Sequence, residues 1–142
     1  MMSIEDFKAA FRLQPAGLAL ITARWGEKNA ALTASSLSAV SAAPPLLMFS
    51  ISTQSSAVEV IRRAETAVVH LLSAENRDLA ELGATSGIDR FADTSQWSPL
   101  DTGEPVFRDV PAWMRIRMVN RLPAGEAVIV IGEVQEVHID KD

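Results

Sequence analysis

Two apolar, strand-like runs constrain this chain most, because both carry hydroxyl side chains where a buried strand ordinarily carries aliphatic ones. The first run covers residues 32–41 and the second covers residues 46–52, with two consecutive prolines between them. Hydroxyl groups at Thr33, Ser35 and Ser36 reach both faces of the first strand, so at least one set must find partners or water. A flat polar cofactor would satisfy such a surface, and so would an exposed strand edge or a β-bulge.

A second polar feature follows the second run. Ser55 and Ser56 precede a helical pattern, so the chain passes from a buried strand into a helix N-terminus. Free backbone N–H groups and the positive end of the helix dipole favour an anion there, and the hydroxyls add donors. Residues 50–60 contain no lysine or arginine, so amides and hydroxyls would supply most of the binding. Help from outside the segment would come from Arg62, Arg63 or Arg90. The alternative is that the two serines only cap the helix.

Length and composition exclude several classes of protein. A chain of 142 residues has the size of one ordinary domain, so a single domain over residues 1–142 is expected. The absence of cysteine excludes disulfides, thiolate zinc sites and thiol nucleophiles. A net charge of −5 argues against nucleic acid, and neither a leader nor a membrane-spanning run is visible. The sequence therefore predicts a cytoplasmic protein whose partners are small molecules or proteins, not nucleic acid or membrane.

The apolar periodicity predicts a mainly β fold with short helices. The predicted strands cover residues 18–24, 30–40, 46–52, 66–72, 112–122 and 127–139. The predicted helices begin at Ser3, at Ser55 or Ser56 and at Asn76, and Pro15 and Gly17 end the first of them. The continuously apolar run 46–52 is expected to be buried on both faces. Residues 83–110 form an irregular excursion anchored by Phe91 and Trp97. Hairpins rather than βαβ units indicate a predominantly antiparallel barrel decorated with helices.

Ionisable side chains do not indicate a catalytic or metal site. The two histidines, His70 and His138, lie on separate predicted strands without metal-ligand spacing, so no metal site is predicted. His70 in an apolar strand is expected to be a hydrogen-bonded core residue. The chain contains no G-x-S-x-G turn, dinucleotide fingerprint or P-loop. Chemistry that a bound cofactor performs needs no protein acid or base, so these absences are compatible with a cofactor-dependent enzyme.

Several motifs occur together in one known family, in the same order and spacing. They are Gly17-Leu18-Ala19-Leu20-Ile21-Thr22, the run A-L-T-A-S-S-L-S-A-V-S-A-A-P-P-L over residues 31–46, Ser55-Ser56-Ala57, Val68-Val69-His70-Leu71-Leu72, Arg77-Asp78-Leu79-Ala80 and Asp89-Arg90-Phe91. On these residues the chain resembles the flavin reductase-like, FMN-binding split-barrel proteins over nearly its whole length. The segment 31–46 is the most specific part of the resemblance.

The resemblance implies a split β-barrel and a set of cofactor-binding residues. Four residues would contact the isoalloxazine ring, namely Thr33, Ala34, Ser35 and Ser36. Three residues would line the ring and the ribityl chain, namely Ser50, Ile51 and Ser52. The phosphate would be held by Ser55 and Ser56, and Phe91 would close the pocket.

The resemblance also implies an activity and partners. The chain would be an NAD(P)H:flavin reductase that binds FMN, with FAD as an alternative, and that supplies reduced flavin. A flavin-dependent monooxygenase would be the downstream partner, and the family's usual homodimer is expected. The alternative function is a non-catalytic or degenerate dimeric protein that binds flavin without reducing it.

Some positions depart from the family pattern. Ala31 replaces the common Gly, Ser35 and His70 each replace a common Asn, and Ala57 replaces a frequent hydroxyl residue. Many family reductases read G-D-H before the closing strand and use the histidine near the nicotinamide or flavin, whereas Ala127 stands at that position here. The printed sequence also ends at Asp142, before the family's usual C-terminal tail. The resemblance therefore implies either impaired reduction or a natural chain that continues further.

The strand predicted at residues 112–122 is a separate reason to expect a homodimer. It combines five large apolar or aromatic residues, namely Trp113, Met114, Ile116, Met118 and Val119. If the domain leaves that strand uncovered, a second copy of the chain would cover its apolar surface.

Overall fold

The fold is mainly β with short helices, as the sequence predicts, in residues 3–12 and 18–140, the part of the chain that the computed structural model describes. The helices are α1 (Ile4–Arg12), α2 (Val58–Arg63) and α3 (Arg77–Ala84), and a 3-10 turn at Ala74–Asn76 leads into α3. The strands are β1 (Ala19–Trp25), β2 (Lys28–Ala34), β3 (Ser38–Ala42), β4 (Pro45–Ser52), β5 (Thr66–Leu71), β6 (Trp97–Pro99), β7 (Pro105–Phe107), β8 (Ala112–Ala124) and β9 (Ala127–Ile139).

Seven strands form one antiparallel sheet in the order β2-β1-β5-β8-β9-β4-β3. The other two described strands, β6 and β7, form a small separate hairpin. The hydrogen-bonded ladder is open between β2 and β3, which follow each other in the chain but lie at opposite edges of the sheet. The predicted antiparallel architecture is therefore confirmed, with a split between these two edges.

The prediction of one continuous strand over residues 30–40 is wrong. Strand β2 pairs with β1 as far as Ala34. From Ser38 onwards the chain forms β3, which pairs with β4 instead. The hydroxyl residues mark the crossing, because the Ser50 backbone N–H donates to Ser36 Oγ at 2.8 Å. A side chain thus replaces a ladder hydrogen bond where the backbone changes edges.

The prediction that residues 46–52 are buried on both faces is also wrong. Leu47, Phe49 and Ile51 are buried, whereas Met48 and Ser50 between them are only half-buried. An antiparallel sheet that packs its core against one face produces this alternation. The less buried face of β4 is therefore available for a site.

Helix α1 begins as its sequence predicts. The Asp6 backbone N–H donates to Ser3 Oγ at 3.1 Å, so Ser3 caps the helix. Pro15 and Gly17, which the sequence predicts to end this helix, lie outside the described residues. No helix of the described chain is long and apolar enough to cross a membrane.

Helix α2 begins later than the sequence predicts. Neither Ser55 nor Ser56 is its N-cap, which is Ala57, and no side chain caps it. The Ser55 hydroxyl instead accepts the Ala57 N–H at 3.2 Å and closes a turn just before the helix. The prediction that Ser55 or Ser56 caps this helix is therefore wrong, because the Ser55 hydroxyl is used in the turn between β4 and α2.

His70 is a hydrogen-bonded core residue, as predicted. It is fully buried on β5, its Nδ1 lies 2.9 Å from the Leu20 carbonyl oxygen, and its Nε2 accepts the Phe107 N–H at 2.9 Å. The ring therefore ties β5 to β7, which belongs to the excursion 83–110. Burial lowers the pKa of His70 to about 4.

Two further contacts fasten the excursion to the sheet. Thr22 Oγ1 donates to the Pro105 carbonyl at 2.5 Å, and Arg115 Nε lies 2.6 Å from the buried Glu104 carboxylate. The excursion thus contains the β6–β7 hairpin, which its irregular sequence did not predict. Its attachment is specific because each contact satisfies a buried polar group.

The apolar residues of β8 are largely covered by the chain itself. Met114, Ile116 and Met118 are buried, and Trp113 is half-buried and stacks on His138 with ring centres 5.3 Å apart. Of the five residues expected to form an apolar surface, only Val119 is exposed. The expectation is wrong for Met114, Ile116 and Met118, because alternate residues of a strand face the core of its own sheet.

Candidate functional site

A cavity of about 420 Å³ lies where β2 ends, beside β4 and the tip of the β8–β9 hairpin. We call it the first cavity. It is lined by Thr33, Ala34, Ser35, Ser50, Ile51, Ser52, Ala124, Glu126 and Ala127. The structure thus brings together six of the residues that the sequence singled out. Strand register explains the meeting, since Ser52 pairs directly with Ala127.

A second cavity of about 320 Å³ adjoins the first and shares Thr33 and Ser52 with it. Its lining is Leu32, Thr33, Ser52, Gln54, Ser55, Gly83, Ala84, Ser86 and Arg90. Ser55 therefore lines the second cavity and not the first. The two cavities adjoin at Thr33 and Ser52, and we call them together the recess.

A third cavity of about 290 Å³ contains two of the three remaining predicted pocket residues. Ser56 and Phe91 line it, together with Arg90, which it shares with the second cavity. The Phe91 ring packs edge-on against Trp97 with centres 5.2 Å apart, and Trp97 Nε1 donates to the Phe91 carbonyl at 3.1 Å. The structure thus places Ser56 and Phe91 beside the second cavity rather than at the first.

Ser36 lines none of these cavities, but it hydrogen-bonds Ser50, which lines the first cavity. Ser36 Oγ accepts the Ser50 N–H at 2.8 Å, and the two hydroxyl oxygens also lie 2.8 Å apart. One hydroxyl must donate to the other, so the pair retains one hydroxyl proton for a further acceptor. Ser35 makes no side-chain hydrogen bond within the described residues, so its hydroxyl is also available.

Thr33 is different because its hydroxyl proton is already used. Thr33 Oγ1 donates to the Ala80 carbonyl of α3 at 2.7 Å. The close approach of this helix depends on Gly83, where an added Cβ would lie 2.4 Å from Thr33 Oγ1 and 2.6 Å from Leu20 Cδ1. Thr33 therefore fixes α3 against β2 and shapes the recess.

The hydroxyls of Ser52 and Ser55 accept backbone hydrogen bonds and keep their own protons. Ser52 Oγ accepts the Gln54 N–H at 3.1 Å, and Ser55 Oγ accepts the Ala57 N–H at 3.2 Å. A hydroxyl held in this way can donate to an anion in the second cavity. Helix α2 is only six residues long, so hydroxyls matter more there than a helix dipole.

Arg90 borders the second and third cavities as a positioned cation. Its guanidinium donates to the carbonyls of Ala31 at 2.5 Å, Thr85 at 2.9 Å and Leu82 at 3.1 Å. Desolvation by burial lowers the pKa of Arg90 from its ordinary value. Because a guanidinium carries five N–H groups, two remain for other acceptors.

The recess fits a flat heteroaromatic ring that carries a phosphate on a flexible chain. Both cavity volumes fall in the roughly 300–1,000 Å³ range of small-molecule sites. Ala34, Ile51 and Ala127 give the first cavity apolar surface for a ring, and the serines supply donors for its polar edge. The second cavity combines spare hydroxyl protons with the Arg90 charge, which suits a phosphate.

Several lining residues were missed from the sequence, among them Ala124 and Glu126 in the first cavity and Gly83 in the second. Ala124 and Glu126 enter because Ala127 pairs with Ser52, which brings the hairpin tip to the end of β4. The motif comparison had already marked Ala127, so its neighbours in the turn could have been included. Gly83 had no comparable signal, because its role depends on helix packing.

The chain matches the family model described as "Flavin reductase like domain" over residues 11–142. It is 42% identical to an NADH:FMN oxidoreductase from Rhodococcus qingshengii over 96% of this chain and 71% of that protein. It is 31% identical to the NADH-dependent FMN reductase AsuE2 from Streptomyces nodosus subsp. asukaensis, over 94% of this chain and 74% of that protein.

A solved structure gives the same result. The crystal structure of a flavin reductase domain protein from Arthrobacter sp. FB24 superposes with a TM-score of 0.83 at 30% identity, covering 97% of this chain and 86% of that one. The sequence resemblance, the family model and the shared fold agree. The chain therefore belongs to the flavin reductase-like family.

Proposed function

We propose that this protein is an NADH-dependent flavin reductase that binds FMN along the first and second cavities. The observation that carries the proposal is the row of spare hydroxyl protons along a recess of suitable size. The names of the Rhodococcus and Streptomyces relatives support FMN as the flavin and NADH as the reductant. FAD and NADPH are compared directly in the test below.

The proposal assigns the flavin ring to the first cavity. The ring would contact the side chains or backbone of Thr33, Ala34, Ser35, Ser50, Ile51 and Ser52. Ser36 acts through Ser50, because their hydrogen bond orients the hydroxyl that faces the cavity. Thr33 contributes its backbone and shape, since its hydroxyl proton is engaged by α3.

The proposal assigns the phosphate to the second cavity, with Ser52 and Ser55 as donors. Ser56 lies in the next turn and would add a donor from the third cavity. Phe91 would close the recess on that side, where Trp97 holds it in place. Arg90 supplies the positive charge that complements a phosphate.

The residues of the recess would hold FMN, which when bound would supply the capacity to accept a hydride from NADH. The residues of this chain bind and orient the reactants. The Ser35 and Ser50 hydroxyls orient the polar edge of the ring, and Ala34 and Ile51 exclude water from its apolar part. Holding two reactants in the reacting geometry is itself a large contribution to rate.

Ala127 supports a second candidate function, a flavin-binding protein without reductase activity. Ala127 lines the first cavity at the position where many family reductases carry histidine. A methyl group offers no hydrogen bond to a nicotinamide. This alternative keeps the flavin site and loses only turnover, so binding and turnover must be measured separately.

The test is a titration of the purified protein with FMN, followed by flavin fluorescence, beside steady-state oxidation of NADH on the same sample. Saturable quenching with turnover of about 1–1000 per second supports the reductase. Quenching without turnover supports the non-catalytic alternative, and no quenching contradicts both. Parallel titrations with FAD and assays with NADPH identify the preferred partners.

We further propose that the protein is a homodimer. Val40, Val119 and Leu122 remain 50%, 46% and 44% exposed, and a second copy would cover such side chains. Light scattering at micromolar concentration should report twice the chain mass. A monomer that binds FMN tightly would contradict this part of the proposal.

The downstream partner in this proposal is a flavin-dependent monooxygenase, because reduced flavin released from the site needs an enzyme that uses it. A 30% identical relative from Rhizobium meliloti, of which this chain covers 55%, is named as the reductase subunit of a stachydrine N-demethylase, which supports a separate partner enzyme in general. We also propose that the protein acts in the cytoplasm, where NADH is available. Reduced flavin from this protein should sustain oxygen-dependent turnover of the partner.

A further inference from the structure

Glu126 is the one ionisable residue among the nine that line the first cavity, and it is exposed at the rim of that cavity. The other eight are alanine, serine, threonine and isoleucine. The Glu126 carboxylate makes no hydrogen bond or ion pair with any residue in the described part of the chain. The end of the recess assigned to the ring therefore carries an uncompensated negative charge.

The backbone holds Glu126 in this position. Its carbonyl accepts the Thr53 N–H at 2.9 Å and the Thr53 hydroxyl at 3.1 Å, which joins the hairpin tip to the chain after β4. Gly125 precedes it with φ of 63°, a conformation that favours glycine and fixes the turn. The side chain can rotate, but its Cα cannot leave the rim of the first cavity.

No cation neutralises this charge locally. No lysine, arginine or histidine lines the first cavity. Arg90 lies in the second and third cavities, where three of its N–H groups are held by carbonyl oxygens. The recess is thus polarised, with positive charge at the phosphate end and negative charge at the ring end.

We propose that Glu126 makes the site bind oxidised flavin more tightly than reduced flavin, so that reduced flavin is released. This inference rests on the proposed function. Hydride transfer converts NADH to NAD⁺ and turns a neutral oxidised ring into a reduced ring that is largely anionic at neutral pH. A carboxylate beside the ring repels the product but not the substrate, by about three- to tenfold in dissociation constant at a solvated site.

The experiment compares E126Q with wild type for oxidised and reduced FMN under anaerobic conditions. E126Q should lower the dissociation constant of reduced FMN about three- to tenfold and change that of oxidised FMN less than about twofold. The midpoint potential of bound FMN should then rise by about 15–30 mV, because a tenfold change in this two-electron ratio is about 30 mV. Spectroelectrochemistry provides that readout independently of turnover.

The chain offers a matched control. Glu27 follows Gly26 in the β1–β2 turn as Glu126 follows Gly125, and it lines none of the three cavities. E27Q removes the same charge and should leave both dissociation constants unchanged, and E126D should keep the wild-type ratio. About 1 M salt should shrink the wild-type difference.

Two results would overturn the inference. Either an unchanged ratio in E126Q, or equal tightening of both flavin forms, would show that the carboxylate does not select between oxidation states. A wild-type protein that binds no oxidised FMN would instead contradict the proposed function. The oxidised-FMN titration therefore separates the two failures.

Discussion

Two polar clusters of this molecule differ in whether their hydrogen-bonding groups all have partners within the chain. Around His70 both ring nitrogens have partners, and the side chain is fully buried. Along the recess, Ser52 and Ser55 accept backbone hydrogen bonds but keep their own protons. The first cluster is complete without a ligand, whereas the second has donors that only a ligand or water can use.

Burial explains the difference. An unsatisfied polar group costs about 1–3 kcal/mol when water cannot reach it, so the buried imidazole must be paired within the chain. Hydroxyls that line an open recess are hydrated when no ligand is present, so their spare protons carry no such cost. Changes in the first cluster should therefore alter stability, and changes in the second should alter binding.

The largest expected effect comes from protonation of His70. In the unfolded chain His70 takes up a proton below its ordinary pKa of 6.5, whereas in the folded chain it does so only near its lowered pKa of about 4. Stability is therefore complete above pH 6.5 and falls as the pH drops towards 4, by about 3 kcal/mol from this residue. Urea denaturation at several pH values between these limits measures the loss.

H70N isolates the histidine from the other groups that titrate in acid. The variant should be less stable at neutral pH and should show a smaller loss on acidification. H138Q, at an exposed position on β9, is the matched control. An acid loss of the same size in H70N and wild type would show that His70 is not the group responsible.

The next effect concerns the spare hydroxyls at the phosphate end. S55A combined with S56A should weaken FMN binding by about 2 kcal/mol, because hydrogen bonds to a charged phosphate are lost. Riboflavin, which lacks the phosphate, should be affected far less, and unfolding should change little. S98A on β6 controls for loss of a serine elsewhere, and equal losses for both ligands would refute the phosphate assignment.

Gly83 connects the two kinds of behaviour, since it sets the packing of α3 against the recess. G83A should destabilise the fold by about 1–2 kcal/mol, because the new Cβ would also lie 2.9 Å from the Thr33 backbone nitrogen. FMN affinity should fall with it as the second cavity changes shape. Thermal unfolding and FMN titration of one sample measure both, and an unchanged melting temperature would contradict the packing argument.

The smallest expected effect comes from comparing a substitution at Thr33 with one at Ser35. T33V removes a hydroxyl engaged by the Ala80 carbonyl, so stability should fall by about 1 kcal/mol. S35A removes a hydroxyl without a partner in the described residues, so stability should stay constant while FMN binding weakens. If S35A destabilises the fold and T33V does not, the division between engaged and spare hydroxyls is wrong.

Local patterns predicted most of the strands and singled out several of the serines that line the first and second cavities. The hairpin of β8 and β9 and the Ser3 cap depend on residues that are close together in the sequence. The burial of His70 follows from the apolar residues on either side of it. The break after Ala34 was missed because Ser36 finds its partner at Ser50, which lies 14 residues further along the chain on β4. The engaged state of the Thr33 hydroxyl and the packing of Gly83 were missed because both depend on where α3 docks.

The opening between β2 and β3 has a consequence for folding. Residues 35–37 are the covalent link between the two edges, and the first cavity lies across the same opening, with walls from β2 and β4. A ligand there acts as a removable clasp that joins the two edges without a covalent bond. When the free ligand concentration is about one hundred times its dissociation constant, binding adds about 2.7 kcal/mol to the free energy of unfolding. The melting temperature of this protein should therefore report how much flavin surrounds it.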